Sequence, residues 1–155
     1  MKAIKPVSKP QLIKLLRKFR AQKKKVVFTN GVFDILHRGH VDYLFNAKSF
    51  GHVLIVGINT DSSVRKIKGP KRPIQKQTDR AAIVSSLKPV DYVVLFSEST
   101  PEKLIELIKP DVLVKGADYK VSEIVGAQFV KSYGGKIKRV GLTNGRSTSG
   151  IIGKI

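Results

Sequence analysis

The sequence predicts an α/β protein built on a single doubly wound, parallel, five-stranded sheet with helices on both faces. Short apolar segments typical of strands alternate with helical segments, at about 25–35 residues per unit, which is the pattern of a parallel sheet. Residues 53–58 (VLIVGI) contain no polar side chain, as expected for a strand that is buried on both faces.

Length and composition favour one domain over residues 1–155. A chain of 155 residues is large enough to bury about 70% of its unfolded surface without disulfides. No apolar run approaches the ~20 residues of a membrane span, and the basic N-terminus lacks the apolar core of a signal peptide. We therefore expect a cytoplasmic protein with no membrane partner. The absence of cysteine excludes disulfides, thiolate nucleophiles and Cys-bound metals.

The charge distribution indicates an anionic partner. Thirty Lys and Arg residues against 11 Asp and Glu give a net charge of +19, and every acid lies between Asp34 and Glu123. Nucleotide phosphates, a sugar phosphate, nucleic acid and plain solubility all fit this excess. Aromatic residues make up only 7% of the chain and are not interleaved with the lysine runs, so no specific nucleic-acid partner is expected.

The first half of the chain predicts a basic helix followed by two strand-and-helix units. Ser8 can cap a helix within residues 1–22 that packs on the domain. Its apolar positions recur at helical spacing: Leu12, Ile13, Leu15, Leu16 and Phe19. We then expect a strand at 26–30, a helix at 40–50, a strand at 53–58 and a short helix capped by residues 59–61. Residues 65–73 read as a basic, proline-broken loop, and such a loop near an active site can act as a mobile lid.

The second half continues the alternation. A helix begins at Thr78 and should turn Ala82, Ile83, Ser86 and Leu87 inward. The remaining elements are predicted as strand 92–96, a helix between Pro101 and Pro110, strand 112–114, helix 121–133, strand 136–140 and a short helix at 147–155. Ligands of doubly wound sheets bind beyond the carboxyl ends of the strands, where the strand order reverses. The segments 29–40, 115–119 and 141–149, and the segment that begins at Asn59, should therefore share one rim.

Residues 29–40 (TNGVFDILHRGH) carry the clearest chemical signal. They connect a strand to a helix N-terminus, where unpaired backbone N–H groups and the helix dipole favour a phosphate. His37 and His40 flank that point and can donate N–H groups to phosphate oxygens. Structural histidines and metal ligands are the alternatives, although a zinc set would need further ligands. The chain has no Gly-x-Gly-x-x-Gly or P-loop motif, which disfavours dinucleotide redox chemistry and P-loop phosphoryl transfer.

This string resembles the HxGH signature of the nucleotidyltransferase superfamily, which includes the cytidylyltransferases and has a Rossmann-like fold. Later segments follow the order of one branch, the D-glycero-β-D-manno-heptose 1-phosphate adenylyltransferases: NTD at 59–61, KGP at 68–70, RP at 72–73, Arg80, VKGADY at 114–119 and RSTS at 146–149. The resemblance implies transfer of AMP from ATP to the heptose 1-phosphate for lipopolysaccharide core synthesis, with Mg²⁺ bridging the ATP phosphates. The alternatives are a cytidylyl- or adenylyltransferase for another phosphorylated acceptor, such as glycerol 3-phosphate, and, in a different class, a basic nucleic-acid-binding module.

The same resemblance implies a role for each matching residue. The catalytic residues would be His37, His40 and Lys68. The nucleotide would contact Asn30, Gly31, Val32, Phe33, Gly39, Arg80, Lys115, Gly116, Asp118, Arg146, Ser147, Thr148 and Ser149. The acceptor would contact Asp34, Asn59, Asp61 and Arg65. No protein-bound metal is expected, and the chain can form a homodimer.

Several of these residues also have simpler interpretations. Ser147 can cap a helix, Asp34 can brace its turn, Arg80 can form a surface ion pair, and Lys68 can be solvated. Ala117 stands where the family pattern has glycine or aspartate, which leaves base selection open.

Overall fold

The computed structural model describes residues 5–141 and 147–155. Five strands lie in that part of the chain: β1 (Val26–Gly31), β2 (Val53–Asn59), β3 (Tyr92–Phe96), β4 (Val112–Gly116) and β5 (Lys136–Val140). They form one sheet in the order β3-β2-β1-β4-β5, and all four neighbouring pairs are parallel. The predicted five-stranded parallel sheet is confirmed.

Helices cover both faces of the sheet. They are α1 (Lys9–Ala21), α2 (Arg38–Lys48), α3 (Asp61–Lys68), α4 (Gln77–Ser86), α5 (Glu102–Ile108), α6 (Ala127–Ser132) and α7 (Thr148–Ile152), with a 3₁₀ turn at Val121–Glu123. Apolar side chains of α1, α5 and α6 form one core cluster with the sheet. Those of α2 and α4 form a second cluster on the opposite face. The fold is therefore doubly wound, as predicted.

The strand order reverses between β1 and β4. From β1 the chain builds outward through β2 to β3, and it then returns to add β4 and β5 on the other side. The carboxyl ends of β1 and β4 therefore diverge at a switch point, which is the usual ligand crevice of such sheets.

Helix α1 packs on the sheet through three buried side chains, Leu12, Leu16 and Phe19. The Ser8 hydroxyl accepts a hydrogen bond from Gln11 N–H, which caps the first turn as expected. Ile13 is 37% exposed, in contrast to its predicted place on the apolar face. The buried side chains recur at i, i+4 and i+7, so the contact stripe is narrower than the run of apolar residues.

The basic segment at 65–73 is partly helical, which corrects the prediction of a loop. Helix α3 continues through Arg65 to Lys68 and ends at Gly69, whose φ is +95°. Lysine and arginine favour helices, and the left-handed backbone of a glycine then ends this one. Lys68 thus extends from a helix end.

Two further elements differ from expectation. Helix α4 buries Arg80, Ala81, Val84 and Ser85, so its inward face lies two positions before the predicted one because it includes a charged residue. The helix predicted at 121–133 is interrupted at Gly126, which has φ +83°. A Cβ atom at Gly126 would lie 2.8 Å from Ile105 Cδ1, so the chain bends where α5 leaves no room for a side chain.

Candidate active site

A cavity of about 490 Å³ lies at the switch point. Most of the predicted site residues are on its wall: Asn30, Gly31, Val32, Phe33, Asp34, His37, Gly39, His40, Asn59, Lys68, Lys115, Gly116, Asp118, Ser147, Thr148 and Ser149. They come from the ends of β1, β2 and β4, the start of α2, the end of α3 and the start of α7. Segments far apart in sequence therefore share one rim, as expected from the sheet.

The turn between β1 and α2 depends on a close contact between Gly31 and Phe33. Phe33 has a positive φ of 51° and is 6% exposed. A Cβ atom on Gly31 would lie 2.8 Å from Phe33 Cε2. The Phe33 ring also packs against the His40 ring, with centroids 5.2 Å apart. Glycine at 31 thus lets an aromatic ring support one of the two histidines.

His37 and His40 form the start of helix α2. His37 is the N-cap, and its Nδ1 accepts a hydrogen bond from Gly39 N–H at 3.1 Å. His40 Nδ1 accepts one from His37 N–H at 3.3 Å. The helix therefore begins at Arg38, two residues before the predicted start, because an imidazole replaces the usual serine or aspartate as the cap. The two rings stack with centroids 3.9 Å apart.

These hydrogen bonds determine where each imidazole carries its proton. A neutral imidazole whose Nδ1 accepts a hydrogen bond has its proton on Nε2. Burial, and secondarily the nearby charge of His37, lowers the pKa of His40 to about 4. His40 is therefore neutral at pH 7. Both rings line the cavity, where an imidazole N–H group can donate to an anion.

The pKa of His40 predicts that stability falls on mild acidification. In the unfolded chain the imidazole has its ordinary pKa of 6.5, whereas in the fold its pKa is about 4. On acidification the unfolded state therefore binds the proton before the folded state does. The contribution of His40 to the free energy of unfolding is complete above pH 6.5 and is lost as the pH falls towards 4. We expect the Tm to decrease across this interval, and His40→Gln should flatten the decrease. Melting curves followed by circular dichroism test this, and an equally steep decrease in the variant would contradict it.

Asp34 is 1% exposed and braces the loop that follows α3. Its carboxylate accepts hydrogen bonds from Ile74 N–H and Gln75 N–H, each 2.9 Å from Oδ1, and from Arg72 Nε, 2.8 Å from Oδ2. Burial alone would raise the pKa of Asp34, but these bonds outweigh it and hold the pKa below 3.8. The loop is fastened to the motif, in contrast to the mobile lid that the sequence allows.

Arg80 lies beneath the cavity wall and is 0% exposed. Its Nη1 donates to Val32 O at 2.7 Å, its Nε to Gln75 O at 3.0 Å and its Nη2 to Asp61 Oδ1 at 2.8 Å. In this arrangement Arg80 is buried and does not line the cavity, so its predicted contact with the nucleotide stays a prediction. Arg80 joins the motif turn to α3 and to the loop before α4.

Two other predicted residues are not on the described cavity wall either. Asp61 pairs with Arg80, and Arg65 is exposed on α3; neither lines the cavity. Both were predicted to contact the acceptor. Arg146 lies outside the described residues.

Lys115 and its neighbours form the other side of the cavity. Burial lowers the pKa of Lys115, and the charge of Asp118 partly offsets this effect. Its Nζ lies 5.3 Å from the centroid of the Tyr119 ring. Tyr43 Oη shares a 2.7 Å hydrogen bond with Thr29 Oγ1, and burial raises the pKa of Tyr43. This wall is therefore a mixed apolar and polar surface of the kind that binds flat organic groups.

The sequence interpretation missed six residues that line the cavity: Tyr43, Ile67, Arg72, Ser99, Pro101 and Tyr119. Tyr43 lies three positions after His40, hence on the same helix face. Ser99 follows the end of β3, so the rule for parallel sheets identifies it. Tyr119 belongs to the quoted VKGADY segment, whereas Arg72 needs the three-dimensional contact with Asp34.

The N-terminal residue of α7 also supports the motif. Thr148 Oγ1 donates a hydrogen bond to Ile35 O at 3.1 Å, and Ser147 Oγ accepts one from Gly150 N–H at 2.9 Å. Ser147 thus caps helix α7, which is the simpler of its two predicted roles. Thr148 holds α7 against the turn before α2. Ser147, Thr148 and Ser149 thereby reach the cavity wall.

Within 5–141 and 147–155, no three His, Asp or Glu side chains come together in a group that would hold a metal ion. In the same residues no helix combines the length and apolar character needed to cross a membrane.

Known proteins resemble both the sequence and the fold. The chain is 54% identical over 136 residues to the bifunctional protein HldE of Geobacter metallireducens, covering 88% of the chain and 28% of that protein. It is 51% identical over 149 residues to the HldE protein of Wolinella succinogenes, covering 96% of the chain and 31% of that relative. The chain thus spans less than a third of the length of these relatives.

Solved structures agree with this relationship. The lipopolysaccharide core biosynthesis protein from Thermoplasma volcanium is 34% identical and superposes with a TM-score of 0.62, covering 77% of this chain and 97% of that one. A pantoate-beta-alanine ligase from Francisella tularensis, 20% identical with a TM-score of 0.56, covers 88% of this chain and 67% of its own length and shares the fold alone.

A family model connects the sequence to the site. The cytidylyltransferase-like model matches residues 28–152, from β1 to the end of α7, and so includes the histidine motif and the opposite wall of the cavity. The resemblance inferred from the motif is confirmed. The chain therefore belongs to the cytidylyltransferase-like family of nucleotidyltransferases.

Proposed function

We propose that the protein transfers AMP from ATP to D-glycero-β-D-manno-heptose 1-phosphate, giving ADP-heptose and pyrophosphate. The observation that carries this proposal is the stacked pair of imidazoles at the start of α2, His37 and His40, whose rings both line the cavity. The choice of acceptor rests on the shared identity with the HldE proteins and on the name of the Thermoplasma relative, a lipopolysaccharide core biosynthesis protein.

The reaction requires charge stabilisation more than covalent catalysis. A phosphate oxygen of the acceptor forms a bond to the α-phosphorus of ATP, the bond from that phosphorus to the bridging oxygen breaks, and its electron pair leaves with pyrophosphate. Negative charge accumulates on the α-phosphate and on the leaving group. Fixed donors that point at these oxygens lower the barrier without reorganisation. His37 and His40 would supply such donors, and Lys68 would supply a positive charge.

The remaining cavity residues would hold the substrates. Lys115, Gly116 and Asp118 would line the base and ribose, since this wall offers both apolar surface and polar groups. Ser147, Thr148 and Ser149 would contact the phosphate chain. Asn59 Nδ2 already donates to Ser63 Oγ at 3.0 Å, which orients its amide for a hydroxyl of the acceptor. Asn30, Gly31, Val32, Phe33 and Gly39 would shape the phosphate end through their backbone.

Mg²⁺ fits this cavity as a companion of ATP. It takes most of its ligands from phosphate oxygens and water and few from protein. Asp34 is already committed to the loop, whereas Asp118 makes no hydrogen bond or salt bridge to another described side chain and is exposed. Asp118 is therefore the carboxylate suited to hold the ion's water shell. When bound, the ion would neutralise phosphate charge.

A screen of donors and acceptors tests the proposed reaction. The purified chain with Mg²⁺ should release pyrophosphate with ATP and heptose 1-phosphate, and much less with CTP or with glycerol 3-phosphate. Turnover with another phosphorylated acceptor would retain the reaction class and discard the heptose. A homodimer and a cytoplasmic location belong to the same proposal, and size-exclusion chromatography and cell fractionation test them.

A further inference from the structure

Arg72 lies on the cavity wall but has no role in the transfer proposed for the histidines and Lys68. It lines the cavity, and its side chain is only 17% exposed. Its Nε donates to Asp34 Oδ2 at 2.8 Å. Its two terminal nitrogens, Nη1 and Nη2, make no hydrogen bond to any other described residue. A guanidinium held by Nε alone keeps the two-pronged edge that binds a phosphate.

The buried Arg80 shows how a guanidinium with a purely structural role is bonded in this protein. All three of its nitrogens donate to protein acceptors, and the side chain is inaccessible. That is the arrangement of an arginine with a purely structural role. Arg72 is also largely buried and ion-paired, yet it presents its terminal nitrogens at the wall of a cavity.

Asp34 keeps Arg72 in this orientation. Its carboxylate is held by two backbone N–H groups of the loop, from Ile74 and Gln75, so it cannot follow the arginine if that side chain rotates. The anchored carboxylate thus fixes the direction of the guanidinium. Ordering an arginine in advance avoids part of the entropy cost of binding.

We propose that Arg72 binds the phosphate of the acceptor through Nη1 and Nη2, with Asp34 as its positioning residue. This inference rests on the proposed function, in which two phosphorylated reactants meet. The start of α2 and its histidines serve one phosphate chain, so the second reactant needs its own positive charge. Lys68 at the end of α3 and Arg72 four residues later both lie on the cavity wall and supply it.

The test separates the acceptor from the nucleotide. Arg72→Gln should raise the KM for the acceptor by about 10- to 100-fold, the range for losing a charge-assisted pair of hydrogen bonds, and should change the KM for ATP less than threefold. Arg72→Lys should fall between, because lysine keeps the charge and loses the fork. Lys71→Gln changes a neighbouring exposed residue outside the cavity and should match the wild type.

Asp34→Asn tests the positioning role. Like Arg72→Gln, this substitution should raise the KM for the acceptor, although Arg72 itself is intact. Added guanidinium ion should partly restore the activity of the Arg72→Ala variant but not that of His40→Gln. A purely structural role for Arg72 would not produce this rescue.

A binding measurement keeps the inference independent of the choice of sugar. Isothermal titration of inorganic phosphate, with a saturating non-hydrolysable ATP analogue present, should show at least tenfold weaker binding to Arg72→Gln than to the wild type. Equal phosphate affinity, or a rise in the ATP KM with no change for the acceptor, would overturn the assignment. Failure of heptose 1-phosphate as a substrate with this affinity difference intact would reject only the proposed acceptor.

Discussion

Replacing His37 by asparagine should lower kcat by about 10²- to 10³-fold, the usual cost of removing one donor from a developing oxyanion. Asparagine is among the best N-caps, so its Oδ1 can accept the Gly39 N–H bond that His37 Nδ1 now accepts. The substitution therefore keeps the helix start and removes the Nε2–H group. The KM for ATP should rise far less than kcat falls, because the lost contact strengthens in the transition state.

His52 provides a matched control for this experiment. Its Nδ1 accepts a 2.8 Å hydrogen bond from Lys25 N–H, as His37 Nδ1 does from Gly39, but His52 lies outside the cavity. His52→Asn should leave kcat unchanged. Steady-state pyrophosphate release gives kcat and KM, and circular dichroism confirms that each variant melts near the wild type. A His37→Asn enzyme with wild-type kcat and unchanged Tm would remove the imidazole pair from the mechanism.

The sheet was predictable because its signal is local. Strands β1 to β4 each contain an apolar run, such as 53–58 in β2, where every residue is buried, and parallel strands bring their following turns to one edge. The histidine motif was predictable for the same reason, since strand, turn and helix are continuous in sequence. The cavity therefore lies where the alternation of elements requires it.

The bracing of that cavity was not predictable from local patterns. Asp34 and Arg72 are 38 residues apart, and Asp61 and Arg80 are 19 apart. A charged residue counts as exposed in a helical pattern, so the sequence places the inward face of α4 two positions too late, whereas the helix buries Arg80. Burial of a charge becomes favourable only when the partner is known, and the partner is a matter of tertiary structure.

Both buried pairs serve the same purpose in the fold. Arg80 holds the carbonyl of Val32, and Asp34 holds the loop at Ile74 and Gln75. The turn before α2 is thereby fastened to the loop after α3. The relative position of the histidines and of Lys68 depends on these contacts, because a catalytic group displaced by about 1 Å can lose a hundredfold in rate.

Arg80→Met should cost about 3–5 kcal/mol of folding stability, the usual price of breaking a buried ion pair from one side. The substitution keeps an extended side chain but leaves Asp61, Val32 O and Gln75 O without their donor. For a chain of this length the Tm should fall by roughly 6–20 °C.

Arg38→Met is the control: its ion pair with Asp42 is exposed, with 74% and 37% of the two side chains accessible, and its loss should shift the Tm by no more than about 2 °C. The double variant Arg80→Met with Asp61→Leu should recover part of the loss, since it removes the unpaired carboxylate as well. Melting of Arg80→Met within 2 °C of the wild type would show that these bonds do not hold the turn, and the positioning of the histidines would then need another explanation.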